Sequence, residues 1–143
     1  MALKIIDYGT AEYEQMLKLR DVVLRKPLGI HFSDDELEAE KSNLLIAAYE
    51  DKQMTGCCML VEEGAQTVRL RQMAVLKDLQ GKGLGKALMT FAENLARDRG
   101  YKRITMHARK NAVGFYEKMG YKQIGDEFQE VTIPHFVMEK MLQ

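Results

Sequence analysis

Tryptophan is absent from this 143-residue chain, and proline and cysteine each occur only twice. The two cysteines, Cys57 and Cys58, are neighbours. On a strand they point to opposite faces, so they do not bond to each other. No CxxC pair exists to suggest a redox or metal role, and both read as core filler. Neither sign of charge is in excess, with Lys+Arg and Asp+Glu at 21 each. The basic stripe of a nucleic-acid binder is therefore missing, and nucleic acid is not an expected partner. No apolar run approaches a membrane span, and "MALKIIDYGTAEYEQ" lacks the apolar centre of a signal peptide. The expected setting is the cytoplasm, away from membranes. Internal repeats and low-complexity linkers are also lacking. What is present, 46% hydrophobic and 29% charged residues, suits one domain over residues 1–143 that buries its core without disulfides or metals.

The hydrophobic pattern predicts a mixed α/β fold. "LKIID" (3–7) alternates like a first strand. Thr10 is placed to cap a helix running to about Lys26, with Tyr13, Met16, Leu17, Arg20 and Leu24 on one stripe. Ser33 and Glu36 form a capping-box pattern for a second, short helix. "NLLIAAYE", "MTGCCMLVE" and "TVRLRQMAV" then read as a three-stranded antiparallel meander. In the third segment Val68, Leu70, Gln72 and Ala74 alternate with Thr67, Arg69, Arg71, Met73 and Val75. A long helix comes next, with Leu84, Ala87, Leu88, Phe91, Ala92, Leu95 and Ala96 at helical spacing and Gly100 as its stop. "YKRITMHA" is a strand, so strand, helix and strand imply a right-handed parallel crossover. Asn111 to Gly120 predicts a capped short helix, and "YKQIGDEF" and "HFVMEKML" are closing strands.

Between the meander and the long helix stands "LQGKGLGKAL". Gly81, Gly83 and Gly85 alternate there, at a cost of roughly 0.5–1 kcal/mol each in regular structure. A strand that ends in glycines and feeds a helix offers free backbone N–H groups at the helix's positive end, which is an anion site suited to phosphate. Lys82 and Lys86 add positive charge. A P-loop would need Ser or Thr after Gly85-Lys86, where Ala87 stands. A dinucleotide fingerprint needs GxGxxG, which the alternate spacing does not provide.

The segment "QGKGLG" (80–85) resembles the Q/R-x-x-G-x-G/A signature of the GNAT superfamily of acyl-CoA-dependent N-acetyltransferases, through Gln80, Gly83 and Gly85. "LRQMAV" upstream and "NAVGFYEKMGY" (111–121) downstream are similar to that family's acyl-CoA elements, in the same order. The ending "IPHFVMEK" resembles that of small bacterial members. The resemblance implies a GNAT-like fold: a twisted, mostly antiparallel sheet of six or seven strands with a strand–helix–strand crossover and about four helices. It implies acetyl-CoA as acyl donor and an amine-bearing acceptor. Backbone groups of Met73, Ala74 and Val75 would bind the pantetheine arm. Gln80, Gly81, Lys82, Gly83, Leu84, Gly85 and Lys86 would wrap the pyrophosphate, and Asn111 would touch the CoA arm. Tyr116 would stand near the thioester sulfur as general acid. The resemblance also allows a homodimer, since many such proteins pair through the sheet or the C-terminal strands.

Acyl transfer from a thioester to an amine needs a neutral nucleophile, help for the oxyanion and a proton for the sulfur. A backbone N–H near Val75 is the candidate oxyanion donor, and a phenol keeps its proton at neutral pH. For the base, His107, His135, Glu62, Glu63, Glu127 and Glu130 all qualify by type. His135 is the candidate base or acceptor contact. His107 is expected on the opposite side of its strand from the apolar Ile104 and Met106 and is the lesser candidate, while His31 reads as loop. Histidines so scattered show no metal-ligand spacing, and no metal is expected. Arg69 and Arg71 share one strand face; a solvated face is the expectation, a basic floor for an acidic acceptor the alternative. The rival to an enzyme is a non-catalytic acyl-CoA-binding sensor or partner module. An ATP- or NAD-binding protein would rest on the glycine loop alone.

Overall fold

The computed structural model describes residues 1–143. Seven strands form one sheet: β1 (Ala2–Ile6), β2 (Leu44–Glu50), β3 (Gln53–Glu62), β4 (Thr67–Val75), β5 (Arg103–Arg109), β6 (Lys122–Glu130) and β7 (Ile133–Met141). Their order is β1-β2-β3-β4-β5-β7-β6, and only β4 and β5 are parallel. The four α-helices are α1 (Ala11–Arg20), α2 (Asp34–Glu38), α3 (Leu84–Asp98) and α4 (Val113–Lys118). This is the mixed fold expected, with the meander, the β4–α3–β5 crossover and the two closing strands in place. None of the helices is long and apolar enough to cross a membrane.

The sheet separates two apolar layers. On one face α3 lays Leu84, Leu88, Ala92 and Ala96 over Ile46, Cys58, Leu60, Leu70 and Ile104. On the other, Tyr13, Met16 and Leu19 of α1 cover Leu45, Ala47, Cys57 and Met59. Cys57 and Cys58 thus lie on opposite faces, both free and fully buried. Gly56 lets α3 come close to β3: a Cβ there would stand 2.9 Å from Leu88 Cδ1 and 3.2 Å from the Ala74 carbonyl.

The first helical region departs from the expected single helix to Lys26. Thr10 Oγ1 accepts from the Tyr13 N–H at 3.3 Å as predicted. After Arg20, however, the chain opens into a π-turn (Asp21–Arg25) and tightens into a 3-10 turn (Lys26–Leu28) closed by left-handed Gly29. The extra residue per turn shifts the helical phase, and Leu24, while still packed against the α1 layer, also lines a cleft beside the sheet. Ser33 accepts from the Glu36 N–H at 3.1 Å, but the Glu36 carboxylate pairs with Arg25 instead of completing the box. Asn111 does not cap α4. It lies exposed in a 3-10 turn (Lys110–Ala112), and no side chain caps the helix. Gly120, at φ 95°, ends α4 as expected.

A buried ion pair ties α1 to the segment after α2. Arg20 donates to both Glu40 oxygens at 2.8 and 2.7 Å, and Tyr13 Oη donates to Glu40 at 2.8 Å. Arg20 is 0% and Glu40 3% exposed. Such a pair adds little over an apolar replacement, but losing one partner strands a charge in the core. Glu40→Ala is expected to lower the unfolding free energy by about 3–5 kcal/mol, read as a lower urea midpoint at unchanged m-value.

Candidate active site

Strands β4 and β5 run together only from Thr67↔Arg103 to Leu70↔Met106 and then part. The cause lies in β4. Ala74 pairs with Cys57 and Arg71 with Met59, so Gln72 and Met73 oppose the single residue Cys58. Gln72 sits at φ 57°, a left-handed backbone that is unusual for a side-chain-bearing residue. This is a β-bulge, which bends the strand and re-aims the side chains beyond it. It also overturns the unbroken alternation expected for β4. Leu70 belongs to the α3 layer, Ala74 to the α1 layer and Val75 to the α3 layer again.

The parting opens a cleft of about 680 Å³. Met73 and Val75 of β4 line it, as do Met106, His107 and Ala108 of β5, Gln80, and Phe115 and Tyr116 of α4. Beyond Leu70 the β5-facing edge of β4 has no strand partner, so the backbone at Met73, Ala74 and Val75 can take an extended amide-bearing ligand. Gln80 Nε2 donates to the Val75 carbonyl at 3.0 Å, tying the loop to the strand end. None of the backbone N–H groups from Gly81 through Lys86 has an acceptor within the chain. Gly81 and Gly83 hold φ values of 80° and 87°. Lys82 and Lys86 are exposed, whereas the Leu84 side chain is buried in the core, leaving only its backbone N–H facing outward. A free strand edge leading into a row of unsatisfied N–H groups fits the amide-bearing arm and pyrophosphate of an acyl-CoA.

Tyr116 is buried at the cleft wall, its ring edge-on to Phe115 at 5.0 Å and to Tyr121 at 5.9 Å. Its hydroxyl makes no hydrogen bond within the chain, unlike that of Tyr121, which donates to Glu93 at 2.8 Å. Burial, with a smaller contribution from Cys58, pushes the Tyr116 phenol up to about 12. Burial likewise pushes the Cys57 thiol up to about 12 and the Cys58 thiol well above its ordinary value.

On the sheet face away from α3, side chains distant in sequence come together. Arg69 of β4, His107 of β5, Glu130 of β6 and His135 of β7 share this face by strand register. His135 is buried, with Nδ1 2.7 Å from the Ile133 carbonyl, so Nδ1 carries the proton and Nε2 points to Glu130 at 3.6 Å. His107 Nδ1 lies 2.9 Å from both Arg69 Nη2, a donor, and Glu130 Oε1, an acceptor. The ring proton satisfies one contact at the expense of the other. Burial raises the Glu130 carboxyl, but the His107 hydrogen bond and the charges of His107, His135 and Arg69 outweigh it and hold it below the ordinary carboxylate value.

His107 does oppose Ile104 and Met106, and from that side it lines the cleft. Arg69 and Arg71 line the cleft too, correcting the expected solvated face. Of the remaining acids, Glu62 accepts from Tyr101, Glu63 from Thr105, and Glu127 pairs with Lys110, all outside the cleft lining. His31 lies in the loop before α2. The Gln72 bulge and the Arg69–His107–Glu130 contact were missed from sequence. Period two along 105–108 hinted at the latter only once its register to β4 was known.

Residues 28–142 match the family model of the acetyltransferase (GNAT) domain, and the chain belongs to that family. It is an acyltransferase that uses acyl-CoA. It is 30% identical over 138 residues to the uncharacterized N-acetyltransferase YjcF of Bacillus subtilis (strain 168), covering 91% of this chain and 96% of that protein. A candidate N-acetyltransferase from Lactobacillus plantarum superposes over 100% of both chains with a TM-score of 0.87 at 26% identity. An aminoglycoside 6'-N-acetyltransferase solved with coenzyme A shares the fold at TM-score 0.82 and 16% identity, over 100% of this chain and 98% of that one.

The left-handed backbone at Gly83 has open space around it. Gly83→Ala is therefore expected to cost about 1–2 kcal/mol from conformation alone, visible as a thermal midpoint several degrees lower without any packing defect.

Proposed function

We propose that the protein transfers an acetyl group from acetyl-CoA directly to a primary amine, with both substrates bound at once. The observation that carries this reading is the cleft that passes through the sheet. On the α3 side it meets Tyr116 and Gln80, the residue that leads into the free N–H groups of Gly81–Lys86. On the other it meets His135, His107 and Glu130. A donor and an acceptor can then approach the same gap from opposite faces.

In the transfer, the amine nitrogen forms a bond to the thioester carbonyl carbon and the carbon–sulfur bond breaks. The Tyr116 hydroxyl supplies the proton for the departing sulfur. Its raised value keeps it protonated, and its freedom from internal hydrogen bonds leaves it available. The proton lost by the amine passes to His135 Nε2, with Glu130 stabilising the imidazolium. The backbone around Val75, at the free edge of β4, is the donor for the oxyanion. Direct transfer is favoured over a cysteine-bound intermediate because both thiols are fully buried and held protonated by that burial. Asn111, exposed on the turn before α4, is assigned the contact with the CoA arm on the family resemblance.

Tyr116→Phe is expected to keep acetyl-CoA binding, read as a retained thermal shift, and to lower kcat for thiol release by about 10²-fold or more. A shift by ATP or NADH with none by acetyl-CoA would overturn the reading. Because the phenol titrates near 12, the wild-type rate should show no loss from Tyr116 ionisation through pH 10, the ordinary phenol value. A Tyr116-dependent fall centred near pH 10, absent in the Phe variant, would show the hydroxyl to be solvated instead.

A further inference from the structure

The chain carries no net charge, yet its cleft is basic. Arg25, Arg69, Arg71 and Arg109 line it against two carboxylates, Glu36 and Glu130. Both carboxylates are engaged, Glu36 by Arg25 and Glu130 by His107. No carboxylate stands within ion-pairing distance of Arg69, Arg71 or Arg109.

Arg69 is the most exacting of these. Its Nη2 meets His107, while its Nε is buried with no acceptor. A buried N–H left unpaired forfeits its bond to water without replacing it. Arg69 and Arg71 lie two apart on β4, ahead of the bulge, so both side chains leave the same face, opposite α3. Their cross-strand neighbours on β3 are the apolar Val61 and Met59. Burial, and then the like charge of Arg71, makes protonation of Arg69 harder. Two cations are thus held side by side next to apolar neighbours; Glu130 and Glu63 are near enough to ease the charge on Arg69, but neither forms an ion pair with it. The glycine loop supplies no anion, since it lies past the far end of β4 and leads into α3 on the other face.

We propose that the acceptor is a small primary amine that also carries an anionic group, a carboxylate or a phosphate monoester, held by Arg69 and Arg71. This rests on the acetyl-transfer reading above. Guanidinium groups recognise such oxyanions through paired N–H bonds, and the orphaned Arg69 Nε is a donor waiting for one. Anchoring the anion ahead of the bulge leaves the amine end toward the parting of β4 and β5, where Glu130 and His135 face the gap. Cationic polyamines would meet repulsion in the same place.

The test compares kcat/KM for thiol release with acetyl-CoA across matched pairs: glycine, β-alanine and γ-aminobutyrate against their carboxamides, and O-phosphoethanolamine against ethanolamine. The best anionic amine is expected to exceed its neutral partner by at least about tenfold. Arg71→Gln and Arg69→Gln should remove that advantage, and the two series separate a carboxylate from a phosphate. Turnover of neutral amines or spermidine at equal or better efficiency overturns the inference and leaves the transferase reading standing. A readout without turnover is calorimetric titration of the N-acetylated amino acids and their carboxamides, on the free and the CoA-saturated protein. Tighter binding of the anionic forms, lost in Arg71→Gln, supports the arginine pair even where CoA fails to bind and the transferase reading falls. Equal binding of both forms overturns the pair.

Discussion

Everything at the cleft depends on one irregularity in the sheet, the extra residue that β4 carries at Gln72. A parallel pair normally keeps both edges hydrogen-bonded along its length. Here the bulge bends β4 away from β5 after Leu70, so the strand's last residues present an unpaired edge inside the protein rather than at its rim. Unpaired backbone in such a place is costly unless something returns to fill it. In this fold the edge lies open to the cleft. The left-handed backbone at Gln72 is the local strain that holds the edge open.

Two further pieces of the chain converge on that opening. The glycine loop converts the end of β4 into the start of α3 without satisfying its own N–H groups, extending the free edge into a row of unpaired donors. From the other side, β7 inserts between β5 and β6. The β6–β7 hairpin turns on Val131 and Thr132, at φ 47° and 63°. These are the dihedral signs of a tight hairpin turn that ordinarily selects Asn and Gly. The turn places Glu130 beside His107 and sets His135 against Phe128, two ring centroids 5.9 Å apart.

Charge inside the protein is handled in two ways. Arg20 with Glu40 and Tyr13, and Glu93 with Tyr121 and Lys140, are closed sets in which each carboxylate oxygen has a donor. Arg20 Nε alone of these donors lacks an acceptor. The two sets fasten α1 to the segment after α2 and α3 to the C-terminal strands. Beside the cleft the arrangement is open: His107 faces a donor and an acceptor at once, and Arg69 keeps an unused donor. Closed networks hold the frame, and the open one is where a ligand can change the balance.

The sequence by itself determined the elements whose signals are local. The period of α3, the meander turns, Gly100 and Gly120 as stops, the Thr10 cap and the glycine loop all depend on neighbours within a few residues. The GNAT signature is of the same kind, because backbone N–H groups at a helix start need only glycine beside them. The helix after Arg20 and the supposed Asn111 cap gave way to π and 3-10 turns, whereas the Ser33–Glu36 box and the unbroken β4 alternation went astray where a distant partner prevailed over local pattern. Glu36 turned to Arg25, and two residues of β4 had to share one partner on β3. The meeting of Arg69, His107, Glu130 and His135 was decided only by tertiary structure. These residues come from β4, β5, β6 and β7, and they share a face because of a register set across three strand pairs. Period two tells which way each side chain points within its own strand, but not which strand lies alongside.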